Sequence, residues 1–143
     1  MRITTLLKVS LLAFASAAFW AQVQGAKPGP ALPGPQTATQ FYLEYRAAFD
    51  KANALDEVLP FWAAAKRKEG EAMPAMVRNV GWRSMKSANA VSGVTVMKEE
   101  VTADGAKLTV EGVRSDRTKT KKTGIVTLVK EGGAWKLAAE HWN

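Results

Sequence analysis

The sequence contains no cysteine and a single histidine among its 143 residues. The absence of cysteine excludes disulfides, thiolate metal sites and cysteine nucleophiles, and one histidine excludes any site that needs two. No P-loop, dinucleotide fingerprint or nucleophile elbow is present, so neither a metal nor a cofactor is expected. Because 47% of the residues are hydrophobic and 23% are charged, the composition is typical of a globular domain.

The first 25 residues predict a targeting signal. Arg2 and Lys8 precede an apolar run, Val9–Ala21, which is shorter than the roughly 20 residues that span a bilayer. Val23-Gln24-Gly25 has the small-x-small pattern of a signal-peptidase site. We therefore expect residues 1–25 to be a signal peptide, cleaved near Gly25 or Ala26, and the mature chain to be periplasmic or secreted. An uncleaved anchor is the alternative.

Residues 26–36 predict an extended linker, because the segment AKPGPALPGPQ holds four of the six prolines. The folded domain is then expected at 37–143, a length that suits one modest core.

Helices are predicted in the first half of this domain. Thr37 and Gln40 fit a capping box. One apolar stripe at helical spacing follows: Phe41, Tyr45, Ala48, Phe49 and Ala52. Tyr42, Arg46 and Asp50 fall on a different, polar face. A further helix is predicted at Met73–Asn89, with apolar members Met76, Val77, Val80, Trp82 and Met85.

From Val91 onward the hydrophobic period becomes two, which predicts strands. Asp104-Gly105 indicates a type I′ hairpin with positive φ at both residues, and Gly132-Gly133 joins a second hairpin. Simple alternation in the last strand places Trp135, Leu137 and His141 on the core side, with Gly124 opposite His141. The same alternation puts Glu140 on the wetter side. Helices followed by an antiparallel sheet predict an α+β domain.

The order of these elements, and the closing hairpin from Val126 through Gly132-Gly133-Ala134-Trp135 to Trp142, resembles the nuclear transport factor 2-like superfamily. In particular, the chain is similar to small exported bacterial members described as lumazine-binding-like. The resemblance implies a cystatin-like cone, in which a curved sheet wraps around N-terminal helices. It also implies a pocket at the open end, and a possible homodimer through the sheet. The superfamily includes isomerases, dehydratases, ligand binders and interaction modules, so the fold alone does not give a function.

Candidate catalytic residues are His141, Tyr45 and Asp50. His141 suits general-base chemistry because an imidazole titrates near neutral pH, although a structural role for this histidine is favoured. Tyr45 lies on the apolar stripe, and Asp50 is expected to be a solvated helix charge. Candidate lining residues for an apolar pocket are Tyr45, Phe49, Trp135, Leu137 and His141.

A basic segment follows the first hairpin. Its charged members are Arg114, Arg117, Lys119, Lys121 and Lys122, opposed by Asp116. No aromatic residue lies among these charges, so nucleic-acid binding is not expected. A solvated run that protects a sheet edge is favoured over an anionic-surface site, and membrane contact would be peripheral at most.

Three functions stay open on the sequence alone. The favoured hypothesis is an exported, non-catalytic domain that binds a small apolar ligand or a partner protein. The alternatives are an isomerase or dehydratase that uses His141 and a tyrosine, and an envelope-associated accessory domain that uses the basic hairpin.

Overall fold

The structure, a computed structural model, describes residues 35–143. The predicted signal peptide (1–25) and nearly all of the predicted linker (26–36) lie outside the described residues. In the described part, no helix is long and apolar enough to cross a membrane.

The first half of the described chain is helical. Thr37 and Gln40 form the predicted capping box, in which each side chain satisfies a backbone amide of the first turn. The helices are α1 (Ala38–Lys51), α2 (Ala64–Ala72) and α3 (Ala75–Ala88), with single 3₁₀ turns at Leu55–Glu57 and Leu59–Phe61 between α1 and α2.

The second half is one antiparallel sheet of four strands, which follow one another in the order β1-β2-β3-β4. The strands are β1 (Val91–Val101), β2 (Gly105–Arg114), β3 (Lys121–Glu131) and β4 (Ala134–Trp142). Consecutive antiparallel strands need only short connections, which the chain supplies. The α+β class predicted from the sequence is confirmed.

The core lies between the helices and one face of this sheet. From α1 it takes Phe41, Tyr45 and Phe49, and from the strands it takes Leu108, Val110, Val126, Leu128 and Leu137. Residues of the opposite sheet face are half-buried or exposed, for example Ile125 and Lys107. One covered and one wet face is the usual arrangement for an antiparallel sheet beside helices.

The helix α3 contributes less to the core than its sequence suggests. Trp82 is buried and Met85 is half-buried, but Met76, Val77 and Val80 are exposed. At 100° per residue, Val80 lies almost opposite Trp82 on the helix, so the apolar residues form two stripes. Only one stripe can face the core, and the other is left on the surface.

Both predicted hairpins are present, with a correction at the first. Gly132 and Gly133 have φ of 57° and 80°, as a type I′ turn requires. Gly105 does not have a positive φ, and it lies inside β2, so Asp104-Gly105 is not a type I′ turn. Glycine is needed there because a Cβ atom would collide with the carbonyl oxygen of Leu128 in β3.

The last strand contains a bulge that reverses its facing. Leu137 pairs with Leu128 and Ala139 pairs with Thr127, so Ala138 has no partner. An extra residue shifts every later side chain to the other face. The prediction that His141 faces the core and Glu140 faces water is therefore wrong, since Glu140 points inward and His141 is exposed. Gly124 pairs with Trp142 instead of His141, and the space above Gly124 is filled by the Trp142 ring.

Candidate functional site

A buried carboxylate, Glu140, is the centre of the main polar cluster in the described chain. Its side chain is 6% exposed. The oxygen Oε1 accepts hydrogen bonds from the Tyr42 hydroxyl at 2.8 Å, from Arg46 Nη1 at 3.2 Å and from Trp142 Nε1 at 2.9 Å. A buried charge is tolerated only when it is paired and hydrogen-bonded, and Glu140 meets both conditions.

Arg46 neutralises this carboxylate and ties α1 to the start of the sheet. Its side chain is 4% exposed. Besides Glu140, it donates from Nη2 to the carbonyl oxygens of Asn89 and Val91, both at 3.1 Å, and it lies 3.5 Å from the exposed Asp50 carboxylate. The guanidinium therefore holds the junction of α3 and β1 against α1.

Tyr45 lies near the Glu140 carboxylate, and Trp62 lies within reach of the Tyr45 hydroxyl. Trp62 pairs with Leu137 in a parallel bridge, and the neighbouring Ala63 amide donates to the Leu137 carbonyl oxygen at 2.8 Å. This contact brings the segment before α2 against β4. Burial raises the pKa of Tyr45, and the nearby Glu140 charge raises it further.

A lysine of α2 completes the cluster. Lys66 Nζ lies 4.6 Å from the centre of the Trp62 ring, close enough for a cation–π interaction. Burial lowers the pKa of Lys66, while the Glu140 carboxylate acts in the opposite direction. Lys66 and Trp142 are both partly exposed, so the cluster lies at the edge of the core.

The structure separates most of the residues that the sequence proposed as a site. Tyr45, Phe49 and Leu137 are core residues, and they pack against neighbouring core side chains. His141 is exposed on the outer face of the sheet, and Asp50 is exposed on α1. Of the three catalytic candidates in the described chain, Tyr45 is therefore the one buried beside the Glu140 carboxylate, Asp50 contacts Arg46 from the exposed side, and His141 lies on the other face of the sheet.

Trp135 is buried, as predicted, and it borders two surface clefts. Its indole donates to the Gln36 carbonyl oxygen at 2.9 Å. One cleft, of about 220 Å³, runs between Trp135 and the Phe41–Phe61 contact. The other, of about 510 Å³, is lined by Val101, Glu99 and the turn at Gly133. Neither includes His141, so Trp135 and His141 do not line a common cleft among those seen in the described residues.

The basic segment lies between β2 and β3, and part of its charge is already paired. Arg114 forms an ion pair with Asp116, and Lys121 Nζ lies 2.9 Å from Glu111 Oε2. Arg117, Lys119 and Lys122 have no ion pair with another described residue. The net positive charge that this segment presents to an outside partner is therefore smaller than its five basic residues suggest.

The outer stripe of α3 is the most apolar exposed surface on a helix of the described chain. Met76, Val77 and Val80 are 79%, 51% and 61% exposed, and Met73 just before the helix is 41% exposed. We call these four residues the α3 patch. The helix below them is anchored, because Trp82 packs edge-on against Phe49 at 5.2 Å between ring centres.

Sequence reasoning missed the roles of Tyr42, Arg46 and Glu140. The i, i+4 spacing of Tyr42 and Arg46 placed them on one face of the helix. Because arginine is charged and tyrosine carries a hydroxyl, this face was expected to be exposed to solvent. The deciding contact comes from β4, ninety-odd residues later, and it depends on the bulge at Ala138. Among the described residues, no group of three or more histidine, aspartate or glutamate side chains is placed to hold a metal ion.

Comparisons with known proteins give no family for this chain. No family model matches it. No curated protein matches it either. A solved structure is similar over 70% of each chain, with 13% identity and a TM-score of 0.47: the solution structure of RPA3114, a SEC-C motif containing protein from Rhodopseudomonas palustris. A likeness at this level carries no argument about function.

This result corrects the family resemblance drawn from the sequence. The matching structure is described as a SEC-C motif containing protein, and no family model supports the nuclear transport factor 2-like superfamily, so that prediction is wrong. The resemblance depended on the order of helices and strands and on the closing hairpin. Both features are common to many α+β domains.

Proposed function

We propose that this chain is an exported, non-catalytic domain that binds a partner protein through the α3 patch. The observation that carries the proposal is the exposure of Met76, Val77 and Val80 on one face of one helix. A contiguous apolar surface on a soluble domain is a common mark of an interaction site.

The helix that carries the patch is rigidly held, which favours a preformed docking surface. Arg78 Nη1 lies 2.6 Å from Asp56 Oδ1, and Lys86 Nζ donates to two carbonyl oxygens at the end of α1, both at 2.8 Å. These contacts lie on the side of α3 that faces the core. A partner would gain the apolar surface without having to order the helix.

Charge indicates the chemistry of the partner. The segment from Met73 to Asn89 contains three basic residues and no acidic one, and the chain without its proposed signal peptide carries a net charge of +5. Arg78 and Lys86 are engaged inside the domain, but Arg83 is exposed beside the patch and has no ion pair with a described residue. The surface therefore suits a partner with an apolar patch rimmed by acidic residues.

The other hypotheses from the sequence receive less support from the geometry. An isomerase or dehydratase that uses His141 and Tyr45 would need both on one side of the sheet, but they lie on opposite sides. A pocket lined by Phe49 and Leu137 would need them to border open space, but both are packed in the core. An envelope contact through the basic hairpin would depend on Arg117, Lys119 and Lys122, which form no ion pair with a described residue.

Site-specific photo-crosslinking in the producing cell tests the partner proposal. A benzoylphenylalanine at Val80 is expected to crosslink to a different protein, identified by mass spectrometry, whereas one at the exposed Ala139 on the sheet is not. The crosslink should be lost when Val77 becomes Asp, and kept when the exposed Ala47 of α1 becomes Asp. Crosslinks at Val80 only between copies of this chain, or none, would refute it.

Export is a separate part of the proposal and has its own measurement. N-terminal sequencing of the protein from the producing cell is expected to begin at Ala26 or Lys27. An intact Met1 on the accumulated protein would contradict export by cleavage.

A further inference from the structure

The outer edge of β1 has no backbone partner in the described chain. The strand order places β1 and β4 at the two edges of the sheet. The β4 edge is partly covered, because Trp62 bridges to Leu137 and the Ala63 amide donates to the Leu137 carbonyl oxygen. No described residue forms such a bond with the outer edge of β1 from Thr95 to Val101. An open edge of this kind is a template for another strand.

The backbone groups of Glu99 and Val101 point toward this free edge. The Thr102 amide donates to the Gly105 carbonyl oxygen at 2.8 Å, so these two residues form a hydrogen-bonded pair across the first hairpin. Hydrogen-bonded and non-hydrogen-bonded pairs alternate in an antiparallel ladder, and the pairing of β1 with β2 is regular from Lys98 to Val101. Glu99 and Val101 therefore offer both their N–H and their C=O groups to an added strand.

The charges on this edge complement those of a second copy that pairs antiparallel to it. If Glu99 lies on the two-fold axis, Lys98 of each copy lies directly opposite Glu100 of the other. Both side chains are on the outer face of the sheet, 64% and 50% exposed, and within one chain they lie 3.0 Å apart. In the pair of copies each lysine would lie between two carboxylates. Opposite charges directly across two strands are favourable.

Glu99 would meet its own copy at the axis, but its charge is already engaged. Its Oε2 accepts hydrogen bonds from the Thr39 amide at 3.1 Å and from the Thr39 hydroxyl. Thr39 belongs to the first turn of α1, where the helix dipole stabilises a carboxylate. An axis at Lys98 or at Glu100 would instead place two like charges opposite each other on the exposed face, without such a helix end. The charges therefore favour the register that is centred on Glu99.

We infer that the outer edge of β1 binds the same edge of a second copy of this chain, in an antiparallel two-fold pairing centred on Glu99. The two sheets would then continue into one. Because only a few residues of each edge take part, the interface is smaller than the roughly 1,200 Å² of a standard one, and a dissociation constant on the order of 100 µM is expected. This edge is separate from the α3 patch, and the pairing does not depend on the proposed function.

Charge reversal tests both the dimer and its register. Sedimentation equilibrium of the protein as it accumulates in the producing cell is expected to show a reversible dimer. Lys98→Glu places a carboxylate opposite Glu100 of the other copy, and Glu100→Lys places an ammonium group opposite Lys98. Each variant alone should dimerise at least about tenfold more weakly. An equimolar mixture of the two should form a heterodimer about as tightly as the native chain pairs, because opposite charges then meet at both positions. The control is Arg83→Glu, an equal change of charge at an exposed position of α3, which should keep the native affinity.

An introduced cysteine reports the register directly, because the native chain has none. With Glu99→Cys, the two Cα atoms would lie about 5.5 Å apart across the axis, a separation that a disulfide can bridge. This variant should form a disulfide-linked dimer under mild oxidation much faster than Lys107→Cys, which places the thiol at an exposed position of β2.

Four results would each overturn the proposal, with circular dichroism used to verify that every variant is folded. They are a monomer only at concentrations up to about 1 mM, native affinity in both charge variants, no heterodimer in their mixture, and crosslinking of Glu99→Cys no faster than that of Lys107→Cys. A monomer would mean that the charges on β1 protect the edge from strand pairing. Native affinity in both charge variants would place the contact between copies on another surface.

Discussion

Replacing Glu140 with alanine should produce one of the largest losses of stability in this domain. The change leaves the Arg46 guanidinium, 4% exposed, without its buried counter-ion. It also removes the acceptor of the Tyr42 hydroxyl and of the Trp142 indole. Breaking a buried ion pair from one side costs about 3–5 kcal/mol, against a total of about 5–15 kcal/mol for a domain of this size. Urea denaturation followed by circular dichroism should measure this loss.

The neighbouring residue gives a matched control. His141→Ala alters the same strand on its exposed face, and should change the free energy of unfolding by less than about 0.5 kcal/mol. A double variant, Arg46→Met with Glu140→Leu, should recover much of the stability lost in Glu140→Ala, because no charge is then buried alone. If Glu140→Ala loses less than about 1 kcal/mol, as little as His141→Ala, the carboxylate is solvated in the folded domain. This result would refute the reasoning.

Three other measurements follow from the structure. Trp135→Ala should cost about 3–5 kcal/mol in chemical denaturation, since it deletes a buried aromatic ring, and a loss below about 1 kcal/mol would contradict its core position. Lys86→Met should cost about 1–2 kcal/mol, because two carbonyl oxygens at the end of α1 lose a charged donor, and an unchanged urea midpoint would count against that capping role. A variant of the basic segment in which Lys119, Lys121 and Lys122 are changed to glutamine should co-sediment with anionic vesicles at low salt to the same extent as the native chain. Stronger sedimentation of the native chain would show that the segment is an anionic-surface site.

The features that could be predicted from the sequence are local ones. The capping box needs only Thr37 and Gln40, which lie three residues apart, and the second hairpin needs only two consecutive glycines. The core stripe of α1 follows from helical spacing alone. Each of these is decided within one turn of helix or one hairpin, where few alternatives compete.

The position of α3 could not be predicted in the same way. Its sequence has two apolar stripes, one with Trp82 and one with Val80, and either could have faced the core. The choice is made by contacts with distant residues, such as Phe49 packed against Trp82 and Asp56 paired with Arg78. Helical periodicity indicates that a stripe exists, but it does not indicate whether the chain itself covers it.

The predicted orientation of the side chains at the end of β4 was wrong for a different reason. This orientation decides which polar side chain lies inside the domain. Without the unpaired Ala138, strict alternation after Leu137 would place His141 inside and Glu140 outside. The bulge leaves the His141 imidazole on the outer face and brings to the core side a carboxylate held by an arginine, a tyrosine and a tryptophan. Nothing in the local sequence, Leu-Ala-Ala-Glu, marks this extra residue, because it contains neither glycine nor proline. The bulge is instead indicated by residues that contact the end of β4. Gly124 leaves space for the Trp142 ring, and Tyr42 and Arg46 on α1 donate hydrogen bonds to Glu140. The polar face of α1 therefore faces β4 and not solvent. Its residues contact Glu140 only because the bulge turns this side chain toward the core.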